Sequence, residues 1–175
     1  MKPITEKAQV ERYQALVREM THADPNRGYE FNDEWVQEQG WKVVPVEDAC
    51  HFSPEEMSTL VSVLGGAGYS ECVAVATEPL DPAPACYQLS VSEEDLRSFN
   101  KECGPFRYLL TDEDRTWAVS CNEWYNLFAG KPELLEAMLG KPISEAREEY
   151  LSFATTLAKK PDEPLLQVAK HYAAL

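Results

Sequence analysis

No lysine or arginine occurs between Lys42 and Arg97, although residues 43–96 hold ten aspartates and glutamates. A segment without cations offers nothing to a phosphate backbone or an anionic lipid surface, both of which are held by positive charge. Over the whole chain 30 acidic side chains face 16 basic ones, a formal charge of −14, so no nucleic-acid partner is expected. Long apolar runs are missing too. No window reaches the roughly 18 consecutive apolar residues of a membrane span, the best candidates being broken by Pro45 and Gly65. The first twenty positions carry Lys2, Glu6, Lys7, Glu11, Arg12, Arg18 and Glu19, which leaves no apolar core for a signal peptide. A cytoplasmic location and no membrane partner follow as expectations.

Metal and cofactor motifs are absent as well. Cys50, Cys72, Cys86, Cys103 and Cys121 are odd in number and contain no C-x-x-C pair, which fits reduced thiols acting as small apolar fillers. His22, His51 and His171 stand far apart, whereas zinc sites draw ligands in closely spaced pairs. The run Leu64-Gly65-Gly66-Ala67-Gly68-Tyr69 lacks the lysine and hydroxyl of a phosphate-binding loop and follows a helix instead of opening one, so it reads as a helix end. No calcium-loop pattern occurs. Cys50 is the nearest thing to a nucleophile, but Glu47, Asp48, Glu55 and Glu56 surround it, and negative charge disfavours a thiolate. The composition therefore leans away from an enzyme, and no metal or cofactor is expected.

What is present reads as one α+β domain spanning residues 1–175, with 44% hydrophobic side chains and enough length to bury a core without a disulfide. Residues 5–21 space Ala8, Tyr13, Leu16, Val17 and Met20 as an amphipathic helix. A short helix within 29–40 precedes a strand, Trp41 to Val44, stopped by Pro45. Ser53-Pro54-Glu55-Glu56 is a capping box with proline in the first helical position, followed by Met57, Leu60, Val61 and Leu64 on the buried face. Residues 70–77 predict a strand covered on both faces, 86–91 a second strand, and Ser92-Glu93-Glu94-Asp95 a second helix start. A hairpin (106–110 and 116–121) and a third strand from Trp124 to Phe128 form a meander. Three helices complete the chain: one after Pro132, one from Pro142 to Lys159 burying Leu157 among others, and one after Pro161. The expected fold is α+β, with a largely antiparallel sheet of about four to six strands, packed helices and a helical C-terminal third. The strand-helix-strand order in 70–111 leaves room for one or two parallel pairs.

Charge position is the feature that solubility alone does not require. Residues 1–42 and 97–175 each carry a net −2, and residues 43–96 carry −10. Glu47, Asp48, Glu55, Glu56, Glu78, Asp81, Glu93, Glu94 and Asp95 thus have no local cation along the chain. Unbalanced charge repels itself, and its physical use is to steer and hold a cationic partner. These nine residues are the expected contact for a basic protein, with the chain acting as an acidic, cytosolic protein-binding module: an inhibitor or immunity-type protein that neutralises a basic partner such as a nuclease toxin. In general character the chain resembles the immunity proteins of bacterial toxin systems, although no residue motif carries that likeness and none is transferred. A rival expectation is a small-molecule binder or enzyme whose pocket is lined by the aromatic strands 106–128, with Trp117, Trp124, Tyr125 and Phe128. A third is a homo-oligomer joined through exposed apolar helix faces.

Overall fold

The computed structural model describes residues 1–25, 28–47, 51–78, 84–104 and 106–175. In chain order these form β1 (Lys2–Pro3), α1 (Lys7–Met20), β2 (Thr21–Asp24), β3 (Gly28–Phe31), α2 (Asp33–Gln39), β4 (Lys42–Glu47), α3 (Pro54–Gly66), β5 (Glu71–Ala76) and β6 (Cys86–Ser90). They continue through α4 (Glu93–Cys103), β7 (Tyr108–Thr111), β8 (Trp117–Cys121), β9 (Tyr125–Gly130), α5 (Pro132–Leu139), α6 (Ile143–Leu157) and α7 (Pro164–Ala174). Seven strands make one sheet in the order β1, β6, β5, β7, β8, β9, β4, and β2 pairs with β3 in a separate ribbon. The fold is α+β and its C-terminal third is helical.

Side-chain alternation along the strands decides the layering, because successive residues point to opposite faces. On one face Cys72, Ala74, Leu110, Val119 and Phe128 pack under α3, α4 and α5; on the other Val73, Val75, Leu109, Ala118 and Leu127 pack under α1, α2, α6 and α7. β5 is buried on both sides from Cys72 to Ala76, as its small apolar sequence predicts. Helix α6 contributes to both layers, Ala146 to the first and Tyr150 and Ala154 to the second. It therefore wraps the outer strand β4, and Arg147 Nη2 donates to the otherwise open Val43 carbonyl at 2.9 Å.

Three expectations are corrected, and one element goes beyond them. All strand pairs are antiparallel: β6 and β7 run parallel, but β5 lies between them, because α4 carries the chain across it. The strand expected to stop at Pro45 continues to Glu47, since β4 has a neighbour on one side only and an edge strand tolerates a missing donor. The ribbon formed by β2 and β3 carries no β signal of its own and is held from outside: Ser120 Oγ donates to Tyr29 O at 3.0 Å and Asn122 Oδ1 accepts from Tyr29 N at 3.0 Å. Gly28 is needed there, with φ +93° and only 2.7 Å between a virtual Cβ and Asn122 Oδ1. Leu157, expected inside, is 51% exposed at the end of α6.

Helix α3 begins as its capping box predicts. Ser53 Oγ accepts from Glu56 N at 3.2 Å, and the Glu56 carboxylate accepts from Ser53 N at 2.7 Å. Replacing Ser53 by alanine removes one of these bonds and is expected to lower stability by about 1 kcal/mol. A urea titration that shows a loss below a few tenths of a kcal/mol refutes this account of the helix start.

Cys72, Cys86, Cys103 and Cys121 are buried as thiols; Cys50 lies outside the described residues. Burial pushes Cys72 and Cys103 up to about 12 and Cys86 up to about 11, from an ordinary 9.0. Unfolded thiols ionise above pH 9 while these keep their protons, so unfolding releases protons there and stability falls as pH climbs from about 9 toward 12. Folded protein at pH 8 is expected to react with a thiol reagent only at its unfolding rate, and rapid stoichiometric labelling of these four contradicts that.

Candidate functional site

The approach to α3 is held by side chains from two other elements. His51 adopts a left-handed φ of +76°. Its carbonyl accepts from Asn126 Nδ2 at 2.9 Å, its Nε2 donates to Cys103 O at 3.0 Å, and its ring stacks on Phe99 at 4.9 Å between centroids. The next residue is clamped by one amide: Asn100 donates to Phe52 O at 2.7 Å and accepts from Phe52 N at 3.2 Å. β9 and α4 thereby fix where α3 starts and which way its first turn faces.

That first turn forms one wall of a groove of about 390 Å³ at the end of β4. Glu47 from β4, Glu55, Glu56 and Thr59 from α3, Lys141 from the α5–α6 turn and Glu149 from α6 line it. The floor is apolar, built from Phe128, Met138, Ala146, Phe153 and the ring of Tyr150. Burial, and next the charge of Glu30, holds the Tyr150 phenol well above its usual range, so that residue presents a neutral ring. The far wall is set by the α5–α6 turn, where Gly140 takes a left-handed φ of +67° and Glu136 Oε1 accepts from Ile143 N at 3.1 Å. Lys141 Nζ reaches Glu149 at 2.6 Å. Among the described residues, four carboxylates therefore line the opening with one ammonium among them. A cation with a hydrocarbon stem suits such a groove, its stem on the floor and its head at the rim.

The other expected contact residues go elsewhere. α3 and α4 pack antiparallel: Asn100 near the end of α4 meets Phe52 at the start of α3, while Val91 N at the start of α4 bonds Ser70 O just after α3. Glu93, Glu94 and Asp95 thus lie at the opposite end of this helix pair from Glu55 and Glu56. The expectation that these acids lack cations is corrected as well, because partners arrive from outside the segment. Glu93 pairs with Arg97 at 3.1 Å and Glu78 with Arg107 at 3.9 Å. Asp95 accepts from Ser90 N at 2.7 Å and from the Met1 amine. Burial alone raises the Asp95 carboxyl, but those donors outweigh it and hold the group below the usual carboxylate range. Glu94 is exposed, and Asp48 and Asp81 lie outside the described residues.

No protein-family model, curated protein or solved structure matches the chain. The reading of the site therefore rests on its own chemistry. Among the described residues no group of three or more His, Cys, Asp or Glu could hold a metal ion, and no helix is long and apolar enough to cross a membrane. Tyr108, Trp117 and Phe128 are at most 2% exposed and fill the core beneath α3 to α5, and Tyr125 faces the opposite layer. Trp124, expected to open a strand, sits instead in the β8–β9 turn and is 63% exposed. It borders a second opening of about 420 Å³, together with Pro25, Arg107, Leu157, Pro164 and Leu165.

Sequence reasoning named Phe128 for a pocket on the aromatic strands but missed the rest of the floor and the far wall of the groove. Phe128, Met138, Lys141, Glu149 and Phe153 come from three elements and a turn about a hundred residues downstream of Glu47, and nothing in their spacing marks them as neighbours of α3. Removing the Asn100 clamp, in Asn100→Ala, leaves the Phe52 N–H and carbonyl unpaired and is expected to destabilise the fold by about 1–3 kcal/mol. A measured loss under about 0.5 kcal/mol, below the range for a broken bond of this kind, means the loop is held by other contacts.

Proposed function

We propose that this chain is an acidic, cytoplasmic protein-binding module that neutralises a basic protein, an inhibitor of the immunity type whose target is a partner such as a nuclease. The observation that carries this reading is the groove: Glu47, Glu55, Glu56 and Glu149 around an apolar floor with one lysine. It supports an anchor in which an arginine or lysine side chain of the partner lies along the half-buried Val46, Leu139 and Phe153. Glu78, Glu93 and Glu94, spread over other parts of the surface, add to the long-range field.

Magnitudes divide the work between rim and floor. Exposed ion pairs contribute about 0–1 kcal/mol each, whereas burying hydrocarbon contributes about 0.8 kcal/mol per methylene. A long aliphatic stem on the floor therefore outweighs any single rim carboxylate in affinity. The carboxylates act chiefly on encounter, where opposite fields speed association and salt suppresses it within a Debye length of about 8 Å.

Reversing Glu47, Glu55 and Glu56 to lysine is expected to slow association with a basic partner captured from cells by at least about tenfold, with a smaller change in dissociation. Reversal of Glu93 and Glu94 should have the weaker effect. A folded triple variant with unchanged rate and salt dependence overturns the proposal. Direct probes sharpen the test: N-acetyl-arginine amide and N-acetyl-lysine amide should shift the backbone amide resonances of Glu55, Glu56 and Thr59, while uncharged N-acetyl-norleucine amide and bare guanidinium should not. Equal shifts from all four, or shifts scattered over every acidic surface, refute the anchor.

A further inference from the structure

The exposed large apolar side chains among the described residues are Trp124 at 63%, Leu157 at 51% and Leu151 at 42%. Two of these three border one opening, the 420 Å³ cleft beside the β8–β9 turn. Pro25, Pro164 and Leu165 complete its apolar walls. Concentrated apolar exposure of this kind marks an interaction surface, whereas single scattered residues do not. None of the nine acids assigned to a basic partner lines it.

We propose that this cleft is a self-association surface at which a second copy of the chain docks across a two-fold axis. A two-fold contact brings the same patch together with itself, so projection and recess must lie side by side on one surface. The Trp124 ring is the projection, carried on a tight turn in which Asn122 N bonds Tyr125 O at 3.1 Å. The recess between Leu157, Pro164 and Leu165 is the hollow next to it.

Charge favours a second copy over a strongly basic or strongly acidic partner. Most of this surface is negative, and two copies carrying −14 each repel one another wherever acids face acids. At the cleft both signs meet, with Arg107 beside Asp24 and Glu123 in its lining. Arg107 lies 3.3 Å from Glu123 and 3.9 Å from Glu78, and Glu123 is 62% exposed. Lys159, Lys160 and Asp162 follow Leu157 on exposed chain. A two-fold rotation can set Arg107 of each copy against Glu123 of the other, which gives the pairing that a uniformly acidic patch denies itself.

The test uses the intact chain and reads a residue that reports on itself. Trp35, Trp41 and Trp117 are buried, at 8%, 4% and 2% exposure, so iodide quenching of tryptophan fluorescence comes from Trp124. Sedimentation equilibrium from low to high micromolar protein is expected to show a reversible monomer–dimer transition, with iodide quenching falling in step. Trp124→Ala and Leu157→Glu, both at exposed positions, should each raise the dimer dissociation constant by at least about tenfold, as buried aromatic anchors do, while circular dichroism stays unchanged. A chain that is monomeric throughout the range overturns the proposal. So does a dimer in which Trp124 remains fully quenchable or neither substitution matters.

Discussion

The bond from the Asn126 amide to the carbonyl of His51 is the contact on which the groove depends. A left-handed φ at a residue that is not glycine costs about 1–3 kcal/mol and persists only where the surroundings over-determine it. Here they do: the Asn126 amide, the Cys103 carbonyl and the Phe99 ring all hold His51, and Asn100 holds the next residue at both backbone groups. With His51 turned this way the chain enters α3 so that the Glu55–Glu56 turn faces α6. Asn126 sits on β9, between β8 and β4, so the direction of α3 is tied to the sheet itself.

Much of the fold was legible because its signals are local. The Ser53 capping box, the cap that Ser92 gives to Asp95 N at 3.2 Å and the hairpin turn where Asp112 accepts from Thr116 N at 2.8 Å are each written within five residues. Strand neighbours are not local, and neither is the support of the β2–β3 ribbon, which rests on Ser120 and Asn122 some ninety residues away. Pro45 misled for a related reason: whether a proline ends a strand depends on which side of it has a neighbour. Half of the candidate site was visible in the same sense. Glu47, Glu55 and Glu56 stood out by charge, but charge read along the chain could not show that the antiparallel packing of α3 and α4 carries Glu93 and Glu94 to the far end.

Acidity and affinity are different properties of this molecule. Glu55 and Glu56 occupy the first turn of α3, where the helix dipole stabilises negative charge, and Glu56 also spends one oxygen on Ser53 N. Both are thus partly neutralised before any partner arrives. Glu149 is likewise compensated by Lys141 at 2.6 Å. In the proposed anchor, net charge would act over distance and on rates, while the apolar floor would decide how long an occupant stays. A surface equally acidic but flat would recruit basic proteins without selecting among them.

Helix α6 joins these features. An edge strand left open pairs with whatever chain it meets, and α6 closes β4 by lying against it, Ala146 on one side of the sheet, Tyr150 and Ala154 on the other, with Arg147 on the Val43 carbonyl. Because the helix is placed by that task, the surfaces it carries are placed with it. Glu149 and Phe153 reach the groove, and Leu157 reaches the Trp124 cleft. Glu149 and Leu157 are eight positions apart, about 12 Å along a helix axis. Close-packed interiors transmit small displacements instead of absorbing them, so any change that shifts α6 on β4 moves a wall of both openings at once.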